Sequence, residues 1–139
     1  MGQVGKEADI EVAVATDKFV VAEIYAQFAA GENDTTGTMV MHHGRVKCPG
    51  KVLPDFRIVS LNALVDNVCE GLRNIALDAS WKFLLHRIYI LHRLGEVERG
   101  GDVLLVICSA ASRGDAFNAC SWIVDEIKKE QLIALHELP

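Results

Sequence analysis

The sequence predicts an α+β domain with a mostly antiparallel sheet and helices packed against it. Three observations carry that prediction. Val103–Cys108 is an unbroken apolar run, entered through Gly100, Gly101 and Asp102, and has the pattern of a strand covered on both faces. Beyond it, Ser109–Ser112 lead to Arg113, and apolar residues recur at Ala116, Phe117, Cys120, Ile123, Val124 and Ile127 with the helical period. Around this unit, strand-like and helix-like stretches mix in the order strand–helix–strand–strand–helix–strand–strand–helix. With 139 residues the chain is one domain, residues 1–139, long enough to bury a real core.

The elements follow from local pattern. Ile10–Ala15 alternates weakly and reads as a first strand, and Thr16-Asp17 is placed to cap a helix from Lys18 to about Ala30. Val20, Val21, Ile24, Tyr25 and Phe28 share one face of that helix, which the polar stretch from Gly31 onward ends. Thr38–Lys47 is a strand with a basic end, closed by Cys48-Pro49-Gly50, and a loop runs to Pro54. Phe56–Leu61 is the next strand, and a helix from about Leu64 to Ala79 places Val65, Val68, Leu72, Ile75 and Ala76 in its core stripe. Most of Trp81–His92 is aromatic and branched enough for a strand. The region from Gly95 to Gly101 reads as turns, the last helix runs from Arg113 to about Glu130, and Gln131–Glu137 fits either a helical continuation or a short final strand.

Composition excludes several classes. Half of the residues are hydrophobic and 24% are charged, which is ordinary for a globular protein. A formal net charge of −5 gives no global attraction to nucleic acid or to an anionic membrane. An anionic substrate would need a local basic cluster. The cysteines at 48, 69, 108 and 120 form neither a CxxC pair nor a zinc spacing. Cys69, Cys108 and Cys120 fall on apolar positions and read as buried free thiols, which fits a reducing cytoplasmic setting. Met1–Glu11 lacks the apolar core of a signal peptide, and no run reaches membrane-spanning length. His42 and His43 are adjacent, so in a strand they point to opposite faces, and no third ligand stands at useful spacing for a metal.

Chemistry is expected where the buried strand hands over to the helix, because helix N-termini present free N–H groups to anions. Arg113 stands there, either as an anion ligand or as a surface arginine paired with Asp115. At about 100° per residue, Lys128 lies within roughly 20° of Phe117 around the helix axis, at the edge of the apolar stripe, whereas Lys129 lies on the solvated side. Such a lysine either snorkels over the core or points its ammonium into a neighbouring cleft. Arg45 and Lys47 flank Val46 and would share a strand face.

The order His92-Arg93-x-Gly95-Glu96, Gly101-Asp102-Val103, Ser109-Ala110-x-x-Arg113, Ala116-Phe117 and a helix ending in lysine resembles the large, catalytic subunit of molybdopterin synthase. The resemblance extends faintly back to Thr38 and covers about two-thirds of the chain. It implies an α/β-hammerhead-like fold and a homodimer. It also implies a small ubiquitin-like partner, whose C-terminal Gly-Gly thiocarboxylate supplies sulfur to cyclic pyranopterin monophosphate, with no resident cofactor. It aligns Lys128 with the catalytic lysine, and Arg113 and the Arg45-Val46-Lys47 segment with substrate-binding cations. Three positions depart from the pattern. Ser112 stands where the family has a histidine, Leu135 where it has a second pocket lysine, and Asn62-Ala63-Leu64 where it has a Glu and a Tyr. Lys82, Lys51 and His136 are the candidates to replace the missing groups. A non-catalytic dimeric binding or regulatory module for the small subunit is the alternative function. Arg113 and Lys128 are 15 residues apart, about 22 Å along an unbroken helix, so they cannot grip one phosphate from one chain.

Overall fold

The computed structural model describes residues 8–139, so the reading of Met1–Glu11 falls largely outside the described residues. Among the described residues seven strands and three helices follow one another: β1 (Asp9–Ala15), α1 (Val21–Ala30), β2 (Thr38–Arg45), β3 (Ile58–Ala63), α2 (Val68–Lys82), β4 (Arg87–Arg93), β5 (Gly95–Glu98), β6 (Asp102–Ala110), α3 (Arg113–Ile127) and β7 (Ile133–Leu138). They form a four-stranded sheet in the order β1-β4-β6-β2 and a three-stranded sheet in the order β5-β3-β7. Every pairing is antiparallel except β1 with β4, which is parallel. The α+β prediction with a mostly antiparallel sheet holds.

The apolar run at 103–108 becomes the middle of β6, which lies between β4 and β2, and Leu104–Ala110 are all buried. Helices α2 and α3 cover one face of this sheet. Leu72, Ala76 and Ala79 of α2 and Ala119, Cys120, Ile123 and Ile127 of α3 pack with Ile88, Ile90, Val106 and Cys108. Each fully buried Leu or Ile contributes about 1.5–3 kcal/mol relative to exposure. Val59, Leu61, Val97 and Ile133 of the smaller sheet join the same core.

Several expectations are corrected. Thr16-Asp17 does not cap α1; the Asp17 carboxylate accepts from the Lys18 N–H at 2.7 Å, and the helix starts later, after an extended Val20 with no side-chain cap. Of its proposed apolar face only Phe28 is buried, and Val20 is 55% exposed. Helix α2 also starts late, because the Asn67 side chain accepts from the Glu70 N–H at 3.0 Å and so caps it. Val65 consequently lies outside the helix and is exposed, while Trp81 and Lys82 finish α2 rather than begin β4. Lys82 sits 5.4 Å over the Trp122 ring of α3, a cation–π contact that ties the two helices. The stretch read as turns contains β5, and the ambiguous tail is strand β7. Both pair with β3, whose hydrogen-bonding edges need partners.

Gly37 and Gly100 are required by local geometry. A Cβ at Gly37 would collide with the Ala111 carbonyl oxygen, where the Gly37 N–H donates to Ala110 O at 2.9 Å. This contact brings the start of β2 against the β6–α3 turn. Gly100 has φ +81° in the β5–β6 turn, a conformation that side chains disfavour.

Candidate active site

Two residues connect β6 to α3, so the helix doubles back along the sheet. It begins near Thr38, which pairs with Ala110, and ends towards the other end of β2. Between them lies a groove lined by Val40, Met41 and His42 of β2 and by Phe117, Cys120, Ser121, Val124 and Asp125 of α3. The helical series Phe117, Ser121, Val124 continues to Lys128. Phe117, expected in the core, is instead 55% exposed and lines the groove.

Lys128 is the C-cap residue of α3, exposed, and forms no ion pair among the described residues. Lys129 pairs with Glu126 at 2.6 Å. The two lysines therefore differ in environment, as the helix period requires. Lys128 acts on His42. Burial holds the imidazole below its ordinary range, and the positive charges of Lys128 and His43 push it further down. The His42 Nε2 is buried without a hydrogen-bond partner, and it lies against Gly44, where a Cβ would come within 3.0 Å of it. A neutral histidine thus sits beside an unpaired ammonium in an open groove. Sequence reasoning considered His42 only as a metal ligand. The signal that could have found it is the strand alternation that places it on the side of β2 opposite His43, which bonds Asp102 at 2.6 Å.

The other expected residues separate into two groups. Arg45 ends β2 after a register shift at Gly44/Arg45, and its Nε and Nη2 donate to Gly100 O at 3.2 and 2.9 Å. Lys47 lies beyond the strand, which ends two residues earlier than expected, and its Nζ donates to Pro49 O at 3.4 Å. Arg45 and Lys47 are both exposed on either side of buried Val46, whose N–H donates to Gly101 O at 3.0 Å. Ser112 is the N-cap of α3. Its hydroxyl oxygen accepts from the Asp115 N–H at 3.2 Å and its O–H donates to the Asp115 carboxylate at 2.8 Å. Asp115 is engaged by Ser112 and forms no ion pair with the exposed Arg113. Helix α3 is unbroken, so Ser112-Arg113 and Lys128 stand at opposite ends, about 22 Å apart.

Of the suggested replacements, Lys82 is engaged on Trp122 and His136 Nδ1 lies 3.2 Å from the Asn62 amide nitrogen; Leu135, where the resemblance implied a lysine, is 40% exposed. Cys108 and Cys120 face one another under the groove. The bond with Cys120 and burial push the Cys108 thiol up, while the same bond holds Cys120 down. Cys69 is only half-buried and Cys48 is exposed. Among the described residues no three His, Cys, Asp or Glu side chains gather in a metal-holding group.

A family model described as "MoaE protein" matches residues 14–130. The chain belongs to the MoaE family. Its MoaE relatives include the molybdopterin synthase catalytic subunit of Pyrococcus abyssi, 36% identical over 99 residues, which are 70% of this chain and 65% of that protein. The Escherichia coli subunit of the same name is 31% identical over 126 residues, 87% of this chain and 79% of that one. Among solved structures, the Burkholderia ambifaria molybdopterin biosynthesis MoaE protein aligns with a TM-score of 0.68 at 26% identity, covering 87% of this chain and 76% of that one. The α+β arrangement of this chain is therefore that of MoaE proteins.

Proposed function

We propose that this chain is the large subunit of a molybdopterin synthase, a sulfurtransferase. In this reading it accepts the C-terminal thiocarboxylate of a small ubiquitin-like subunit and delivers two sulfurs to cyclic pyranopterin monophosphate, forming the dithiolene. Membership of the MoaE family and the names of the relatives support the role. The observation that carries it at the residue level is the unpaired Lys128 beside neutral His42 at the groove between β2 and α3. An ammonium in such a position stabilises negative charge as it develops on the reacting atoms. Lys47, towards the same end of β2, offers a cation to the substrate phosphate, and Arg113 offers another from the far end of α3. Because one chain holds Arg113 and Lys128 about 22 Å apart, a homodimer that brings Arg113 of one copy towards Lys128 of the other completes the site.

A second reading has its own observation. Ser112 is committed to capping α3 and cannot supply a histidine's proton, and Leu135 carries no charge. A chain with those two functions lost would serve as a non-catalytic docking module for the small subunit. A single-turnover assay with thiocarboxylated small subunit and cyclic pyranopterin monophosphate separates the two. Dithiolene product identifies the enzyme; intact small-subunit binding without product identifies the module. If the enzyme reading holds, Lys128→Ala lowers transfer by about 10²–10³-fold, whereas Lys129→Ala leaves it near wild type. Equal losses from both would overturn the assignment of Lys128.

A further inference from the structure

The loop between β2 and β3 makes an arrangement that the catalytic reading does not use. Three consecutive backbone N–H groups converge on one carboxylate. Lys51 N–H donates to Glu137 Oε2 at 2.7 Å, and the N–H groups of Val52 and Leu53 donate to Oε1 at 3.1 and 2.6 Å. The Gly50 N–H bonds Leu53 O at 2.9 Å and closes the turn that aims them. The cradle is built closely around its occupant, since a Cβ on Gly50 would collide with the Glu137 carboxyl group. Lys47 adds a positive charge facing it. Successive amides turned into one concavity are a general anion receptor, indifferent to where the oxygens come from.

We propose that the Gly50–Leu53 loop is an oxyanion-binding site for a phosphate or carboxylate group, masked in this conformation by the chain's own Glu137. Glu137 reaches it from β7, where it pairs with Val59, so the occupant belongs to the rigid smaller sheet and the receptor belongs to the connecting loop. An external oxyanion displaces Glu137 and frees the loop from β7. The hydrogen bond from Leu53 is the largest influence on the Glu137 carboxyl and, with those from Lys51 and Val52 and the charge of Lys47, outweighs desolvation and holds it below the usual carboxylate range. The masking group is therefore ionised at neutral pH. A tethered carboxylate competes at an effective concentration of the order of millimolar, so dilute external anions meet a filled site.

The proposal stands apart from sulfur transfer, and its test reads binding alone. The amide signals of Lys51, Val52 and Leu53 are followed by NMR while inorganic phosphate, or acetate in a parallel series, is added at constant ionic strength. In Glu137→Ala all three signals shift saturably, with an apparent Kd roughly tenfold or more below that of the wild-type chain. Saturation with phosphate alone assigns a phosphate-bearing ligand, and saturation with acetate as well assigns a site that also takes carboxylates. Glu137→Gln keeps the length and one acceptor oxygen of the occupant and holds the loop should the alanine variant disorder it; phosphate then displaces the neutral amide more readily than the native carboxylate. If neither variant gains saturable shifts at these amides with either anion, the loop is a structural clasp and the proposal fails.

Discussion

At the scale of single residues, Lys128 and His42 are the most informative pair. Their mutual effect is a charge interaction across the groove, so it is measurable without substrate. Removing the ammonium removes a cation that disfavours the imidazolium. Lys128→Ala is therefore expected to raise the His42 pKa, leaving it still below the ordinary value because burial, the largest cause, persists. Lys129→Ala is expected to leave it unchanged, since Lys129 is tied to Glu126. A histidine titration followed by NMR checks both; no change on losing Lys128 would place the ammonium away from the groove. The distinction between the two lysines was legible in the sequence because it needs only the helical period. The role of His42 was not, because strand alternation tells which side a residue faces but not that α3 lies there.

At the scale of elements, α3 carries the candidate site and depends on its first turn. Ser112 and Asp115 bond each other reciprocally, so Ser112→Ala is expected to destabilise the chain by about 1 kcal/mol, lowering the thermal midpoint by a few degrees. Ser112→Thr, which retains both the accepting and the donating hydroxyl at the cap, should restore most of that loss; failure to do so would mean that the hydroxyl serves elsewhere. Serine is a favoured N-cap residue, so Ser112, which stands where the resemblance implies a histidine, acts here as a helix start signal. The late start of α2 has the same kind of cause, since the Asn67 side chain caps it three residues after Leu64, whereas α1 starts after Val20 with no side-chain cap.

At the scale of the whole molecule, the separation of Arg113 from Lys128 leads to a prediction about assembly. If each site takes Arg113 from one copy and Lys128 from the other, Arg113→Ala and Lys128→Ala chains are each weak alone. Mixed and reassembled, they should recover about a quarter of wild-type activity, because half of the dimers are mixed and each of those has one intact site. No recovery, with mixed dimers verified by mass, would place both residues' roles within one chain. The net charge of −5 is compatible with such a site, since the cations that matter are local and several acids are held in ion pairs such as Arg87–Glu32 and Arg99–Asp55.

The sequence by itself determined which stretches are buried and with what period: the central strand β6, the core stripe of α3, the α+β class and the side on which Lys128 lies. Each of these is written in the spacing of apolar residues within one element, and burial of a strand or helix face imposes that spacing. Only the tertiary structure decided that Gly95–Glu98 and Ile133–Leu138 become strands flanking β3, that α1 fully buries only Phe28 of its apolar face, and that Glu137 reaches across to the Gly50–Leu53 amides. Those outcomes depend on which distant segment supplies a partner for an open sheet edge or an unpaired N–H group. Residues 84 or more positions apart along the chain carry no local trace of each other.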